Sequence, residues 1–244
     1  MANWSDPRTA YGAPAGRADA RDVAFDAGLR SYMLSVYNYM ASGVLLTGIV
    51  ALLFARSGMA ADLFVNGGIL KWVVILAPLG MVMWLSFGIN RLSEGAAKGI
   101  YWAYALAMGL SLSTIFLVYT GASIASTFFA SAAAFGGLSL YGYTTKKDLS
   151  GFGTFLIMGV VGLIIASVIN IFMQSSAMDF VISVLGVLLF AGLTAYDTQK
   201  IKSMYFTVGG TEFVGKSVVM GALTLYLDFI NLFLFLLRFM GDRR

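Results

Sequence analysis

The fold class that this sequence predicts is an all-α integral membrane protein of seven transmembrane helices, with no β-sheet. Two observations carry that prediction. The 244 residues are 59% hydrophobic and only 11% charged, with a mean hydropathy of +0.83, whereas a soluble domain is about 45–50% apolar and about 25% charged. The apolar residues also gather into seven runs of about 18 or more residues, enough to cross roughly 30 Å of hydrocarbon at about 1.5 Å per residue.

Residues 1–24 come first and stand apart. They hold Pro7 and Pro14 among Gly, Ala, Asp and Arg and lack the apolar core of a signal peptide. They predict a disordered cytoplasmic tail, because such a composition cannot bury enough apolar surface to offset ordering. Residues 25–244 form one seven-helix domain.

The first span is expected over about 33–54 and the second over 71–90, where Pro78 kinks the helix. The third (100–120) and fourth (122–143) are separated by little more than Gly121, which predicts a tight antiparallel hairpin. The fifth, 152–173, carries Gly159, Gly162, Ala166 and Asn170 at intervals of three and four, a small-residue stripe ending in an amide. The sixth, 179–199, places Ser183, Gly186, Phe190, Thr194 and Asp197 on one face, and the seventh, 217–237, does the same with Gly221, Thr224, Asp228 and Asn231. Small residues let membrane helices approach closely, so these stripes are first of all packing surfaces. The amides divide between interhelical hydrogen bonding and lining a polar path.

If the spans alternate, eleven of the sixteen basic residues, Lys200 and Lys202 of the loop after the sixth span among them, lie on the side of the N-terminal tail. The other side holds Arg56, Lys71, Arg238, Arg243 and Arg244. The positive-inside rule therefore predicts a cytoplasmic N-terminus, with the chain multi-pass in a cell inner membrane. A pI near 9.3 has the same origin and carries no argument for nucleic acid.

Asp197 and Asp228 are the informative residues, since a carboxylate at bilayer depth costs about 2.5–3.5 kcal/mol even on a lenient scale. Such groups face a bundle interior or a wet cavity and bind ions or carry protons, a structural ion pair being the alternative. The chain has no cysteine and no histidine, so thiolate metal sites and the commonest pH switch are excluded. No nucleophile–base pair is visible, and no enzymatic activity or cofactor is expected. The stretch GTEFVGKS at 210–217 matches a phosphate loop in letters, but a phosphate loop needs a preceding strand and a soluble sheet. A retinal protein needs a lysine deep in its last helix, where this chain has Asp228, and the contexts AYDTQ and YLDFI lack the GxGD of intramembrane aspartyl proteases.

The segments LYGYTTKKDLSGFG (140–153), GLTAYDTQKIKSMY (192–205) and GALTLYLDFINLFLFLLR (221–238), with WAYALAMGLSLSTIFLVYTGASI at 102–124, closely resemble the Bax inhibitor-1 (transmembrane Bax inhibitor motif) family. The short polar tail looks like that of a bacterial member. The resemblance covers about 25–240 and implies a last helix enclosed by the other six. It also implies a pH-sensitive calcium leak governed by an aspartate pair that matches Asp197 and Asp228, with Arg91 as a basic latch. Bacterial relatives are associated with restraining a membrane-bound ATP-dependent protease, which makes a membrane protease the second partner class after calcium ions, protons and the bilayer.

The residues themselves suggest how such a pair works. Two carboxylates within hydrogen-bonding distance cannot both ionise cheaply, so they share a proton. Loss of that proton creates repulsion that biases the last helix against its neighbour. Calcium takes six to eight oxygen ligands, so Asp197 and Asp228 with Thr194, Asn231, carbonyls and water offer a loose, transient site suited to passage. Thr224 and Asn170 are further polar lining.

Overall fold

In a bilayer the backbone N–H and C=O groups find partners only within the chain, so each apolar run closes its own hydrogen bonds as a helix. The computed structural model describes residues 15–244, with side chains from residue 25. Its helices are α1 (Ala15–Arg56), α2 (Met59–Asn66), α3 (Leu70–Gly88), α4 (Glu94–Leu112), α5 (Ile115–Val118), α6 (Gly121–Thr144), α7 (Ser150–Met173), α8 (Ser176–Val208) and α9 (Val214–Met240). No strand occurs among the described residues, only an isolated bridge between Tyr119 and Arg243. The tail expected over 1–24 lies outside the residues whose side chains are described.

Among the described residues, seven segments are long and apolar enough to cross a membrane: Phe25–Arg56, α3, Glu94–Val118 and α6 to α9. Local chemistry sets their starts. Ser93, Thr120 and Ser175 cap α4, α6 and α8, each hydroxyl accepting from the N–H three residues on, which satisfies an otherwise unpaired donor. Pro78 sits buried inside α3 without ending it.

Two expectations are corrected. The sixth span was expected to end near 199, but α8 continues to Val208. Its 33 residues measure about 50 Å, well beyond the hydrocarbon thickness, so hydropathy fades where the helix leaves lipid, not where it ends. Lys200 and Lys202 are thus helical residues and not loop residues. The third and fourth spans are joined as tightly as expected, but they do not form a packed hairpin. α4 packs on α1, α3 and α9, while α6 packs on α8 and α9.

The most buried of the spans is α9. Two thirds of its most apolar window is buried, against at most one third for any other span. Its principal neighbours are four, α1, α4, α6 and α8, whereas α3 and α7 lean on the outside of α4 and α8. Polar contacts tie these helices where water is absent. Thr47 of α1 donates to the Ala105 carbonyl at 2.9 Å and its hydroxyl also lies 2.7 Å from that of Tyr226 on α9. The Tyr101 hydroxyl donates to the Tyr39 carbonyl at 2.8 Å. Such bonds glue membrane helices that gain little from hydrophobicity alone.

Candidate functional site

α8 and α9 are consecutive, antiparallel and closely packed. At one end the turn after Val208 joins them, and at the other Asp179 of α8 forms an ion pair with Arg238 of α9. Between these ends the carboxyls of Asp197 and Asp228 lie within hydrogen-bonding reach of each other. Asp197 stands about 16 Å before the end of α8, deeper than a helix ending at 199 would put it. Both are sealed, at 8% and 4% exposure. Asp228 Oδ2 has no hydrogen-bond partner among the described residues, so it is an oxygen that a proton or a cation would satisfy.

The basic group whose charge acts on both carboxyls is Lys200, about one turn along α8 from Asp197. Lys200 was missed by sequence reasoning, which assigned it to a loop. Its spacing of three from Asp197 was the available signal, because residues i and i+3 share a helical face. Arg91, expected as the latch, lies exposed in the turn after α3 against Trp84 and Phe87, and is not among the charges acting on the pair.

The other expected residues are distributed as follows. Thr194 donates to the Phe190 carbonyl at 2.8 Å and Thr224 to Met220 at 3.0 Å, while Asn231 Nδ2 donates to Leu227 at 2.8 Å. Both hydroxyl donors and one of the two Asn231 N–H donors are spent inside their own helices, leaving hydroxyl lone pairs, the second N–H and the Asn231 carbonyl. Asn170 lies apart. Its Oδ1 accepts from the Ser175 N–H and fixes the α7–α8 turn, about 30 Å along α8 from Asp197.

A polar relay adjoins the pair that no motif foretold. Tyr37 of α1 bonds Ser139 of α6 at 2.7 Å, and Ser139 bonds Thr198 of α8 at 2.9 Å. Thr198 follows Asp197 and donates in turn to the Thr194 carbonyl at 2.7 Å. α6 and α8 can come this close because Gly142 abuts the Ala195 carbonyl.

No group of three or more metal-ligating side chains occurs among the described residues. Two aspartates with scattered hydroxyl and amide oxygens make no cage that would hold calcium permanently, since that ion takes six to eight oxygens. The GTEFVGKS segment runs from the turn after α8 into α9, so neither the preceding strand nor the surrounding sheet of a phosphate loop is there.

A family model described as "Inhibitor of apoptosis-promoting Bax1" matches residues 29–244. The Escherichia coli inner membrane protein YbhL is 48% identical over 89% of this chain and 94% of its own length. An uncharacterized protein of Caulobacter vibrioides is 49% identical over 93% of this chain and 94% of its own, and one of Rickettsia prowazekii is 48% identical over 92% and 95%.

Proposed function

The chain is a multi-pass membrane protein that belongs to the Bax inhibitor-1 family, and from that premise we propose that it is a pH-sensitive calcium leak gated by the proton shared between Asp197 and Asp228. The observation that supports this reading is the pair itself: two carboxyls in mutual reach, buried among apolar helices, with one oxygen unpartnered. A carboxyl pair that holds one proton is a single hydrogen-bonded unit. A pair that has lost it carries two like charges in a medium that screens them poorly. The two states favour different separations of α8 and α9, and the second attracts a divalent cation. Calcium is the cargo, drawn by the pair and released because too few fixed oxygens surround it. With the positive-inside orientation, the Lys200 end of the site faces the cytoplasm.

The test is calcium flux into liposomes holding the purified protein, measured across pH, for wild type, Asp197→Asn and Asp228→Asn. Wild-type flux should vary with pH, and each Asn variant should flatten the profile. Wild-type flux equal to that of empty liposomes would sink the leak, and would leave restraint of a membrane-bound protease as the reading to pursue. The polar tail should then be essential and both aspartates dispensable.

A further inference from the structure

α1 and α6 run past one another without close packing, and an apolar trough between them opens sideways to the bilayer. One half, of about 710 Å³, is walled by Val44, Gly48 and Leu52 of α1 and Ala125 of α6, with Phe229 and Phe233 of α9 as its floor. A second half, of about 840 Å³, continues it past Val44, Phe128 and Phe229 towards Arg30 and Tyr143. The first half ends at two arginines from distant parts of the chain, Arg56 at the end of α1 and Arg244. Arg244 is held there rather than trailing. Its N–H donates to the Val118 carbonyl at 2.9 Å, the Thr120 N–H donates to the Asp242 carbonyl at 3.0 Å, and the Asp242 N–H donates to Ser123 Oγ at 2.9 Å.

We propose that this half of the trough is a binding site for an anionic glycerophospholipid, its acyl chain lying between α1 and α6 and its phosphate on Arg56 and Arg244. The dimensions fit, because Val44 to Arg56 on α1 measures about 18 Å, close to one leaflet of hydrocarbon. The chemistry fits too. The walls offer one hydroxyl, that of Thr47, and it is already engaged by Tyr226 and the Ala105 carbonyl. An acyl chain asks for no polar partner, whereas an extended peptide would bring N–H and C=O groups with nothing to bond. At the mouth, guanidinium forks match phosphate oxygens, and no carboxylate side chain lines the trough to compete. The lipid would fill the space that α1 and α6 leave between them, where Phe229 and Phe233 form its floor. This proposal does not rest on the calcium reading.

The experiment is native mass spectrometry of the full chain, exchanged between phosphatidylglycerol and phosphatidylcholine of the same chain length. Phosphatidylglycerol should be retained about tenfold or more over phosphatidylcholine, the effect expected of two basic groups acting on one additional negative charge at a membrane surface. Arg56→Gln with Arg244→Gln should bring it down to the phosphatidylcholine level. A Cβ at Gly48 meets nothing within 4 Å, so Gly48→Trp fills the trough from inside and should abolish retention. Gly80→Trp adds the same bulk at an equally open position on α3 and should retain lipid. Equal retention of the two lipids by wild type, or undiminished phosphatidylglycerol on Gly48→Trp or on the double arginine variant, would overturn the proposal. The exposed arginines carry the test if Gly48→Trp fails to insert.

Discussion

Asp179 and Arg238 pair at the end of the α8–α9 hairpin opposite its turn, so Asp197 and Asp228 face each other between two fixed points. Under the proposed gating, repulsion between them would bend the helices apart at mid-height rather than slide one past the other, because both ends resist. The ion pair therefore sets the stiffness of the proposed gate. Both partners are about one third exposed, so Asp179→Asn should lower stability only by about 1 kcal/mol or less, while Asp179→Arg combined with Arg238→Asp should recover most of it. Thermal unfolding in detergent reads both. A loss of several kcal/mol on Asp179→Asn would mean that the pair holds the bundle together and is no adjustable clamp.

If Asp197 and Asp228 act as one titrating unit, their variants should not add. Asp197→Asn with Asp228→Asn should flatten calcium flux against pH hardly more than either alone, whereas independent sites add within about 0.5 kcal/mol. Asp228→Glu should keep a pH dependence at a displaced midpoint, since the charge survives and its position moves. An unchanged profile on Asp228→Asn removes the gating proposal.

Lys200 and Arg91 should separate in the same assay. Removing the positive charge beside the pair makes loss of the shared proton harder, so Lys200→Gln should move the flux profile to higher pH. Arg91→Gln should leave it in place. The reverse result would return the latch to Arg91.

Thr47 and Tyr226 should respond unequally, although they share one hydrogen bond. Tyr226→Phe leaves Thr47 still bonded to the Ala105 carbonyl, and should cost about 0.5–1.5 kcal/mol. Thr47→Val strands the buried Tyr226 hydroxyl and should cost more, about 1–3 kcal/mol. Equal losses would show that the stranded hydroxyl finds another partner.

Gly142 and Gly136 lie six positions apart on α6 and should differ as well. A Cβ at Gly142 meets the Ala195 carbonyl, whereas one at Gly136 meets nothing. Gly142→Ala should therefore destabilise by about 1–3 kcal/mol through overpacking and weaken the Ser139–Thr198 bond. Gly136→Ala should be neutral or slightly stabilising, as Ala favours helix. Matching unfolding midpoints for the two variants would contradict the close α6–α8 approach.

Much of this architecture was legible because lipid imposes a single rule: apolar runs of sufficient length become helices. The aspartate pair was legible for the complementary reason, that acids are rare at that depth. What hydropathy does not encode is neighbourhood. Nothing in 100–143 says that α4 and α6 part company after their short connection, because a lipid-facing side chain and a helix-facing one are equally apolar. The end of α8 was lost for the same reason, since a helix leaving the bilayer turns polar without unwinding. Lys200 was consequently placed in a loop, while Arg91 came from the family resemblance alone, which says nothing of where the turn after α3 sits relative to the pair.

The most buried helix is also the last of the seven to be made. While the first six spans emerge and insert, the seat that α9 will fill has no occupant, and α1, α4, α6 and α8 lack the partner they share. Assembly of this protein is therefore expected to be a late event rather than a progressive one. The early spans would wait as separate helices in the membrane, exposed to quality control, until α9 arrives and draws them together in one step.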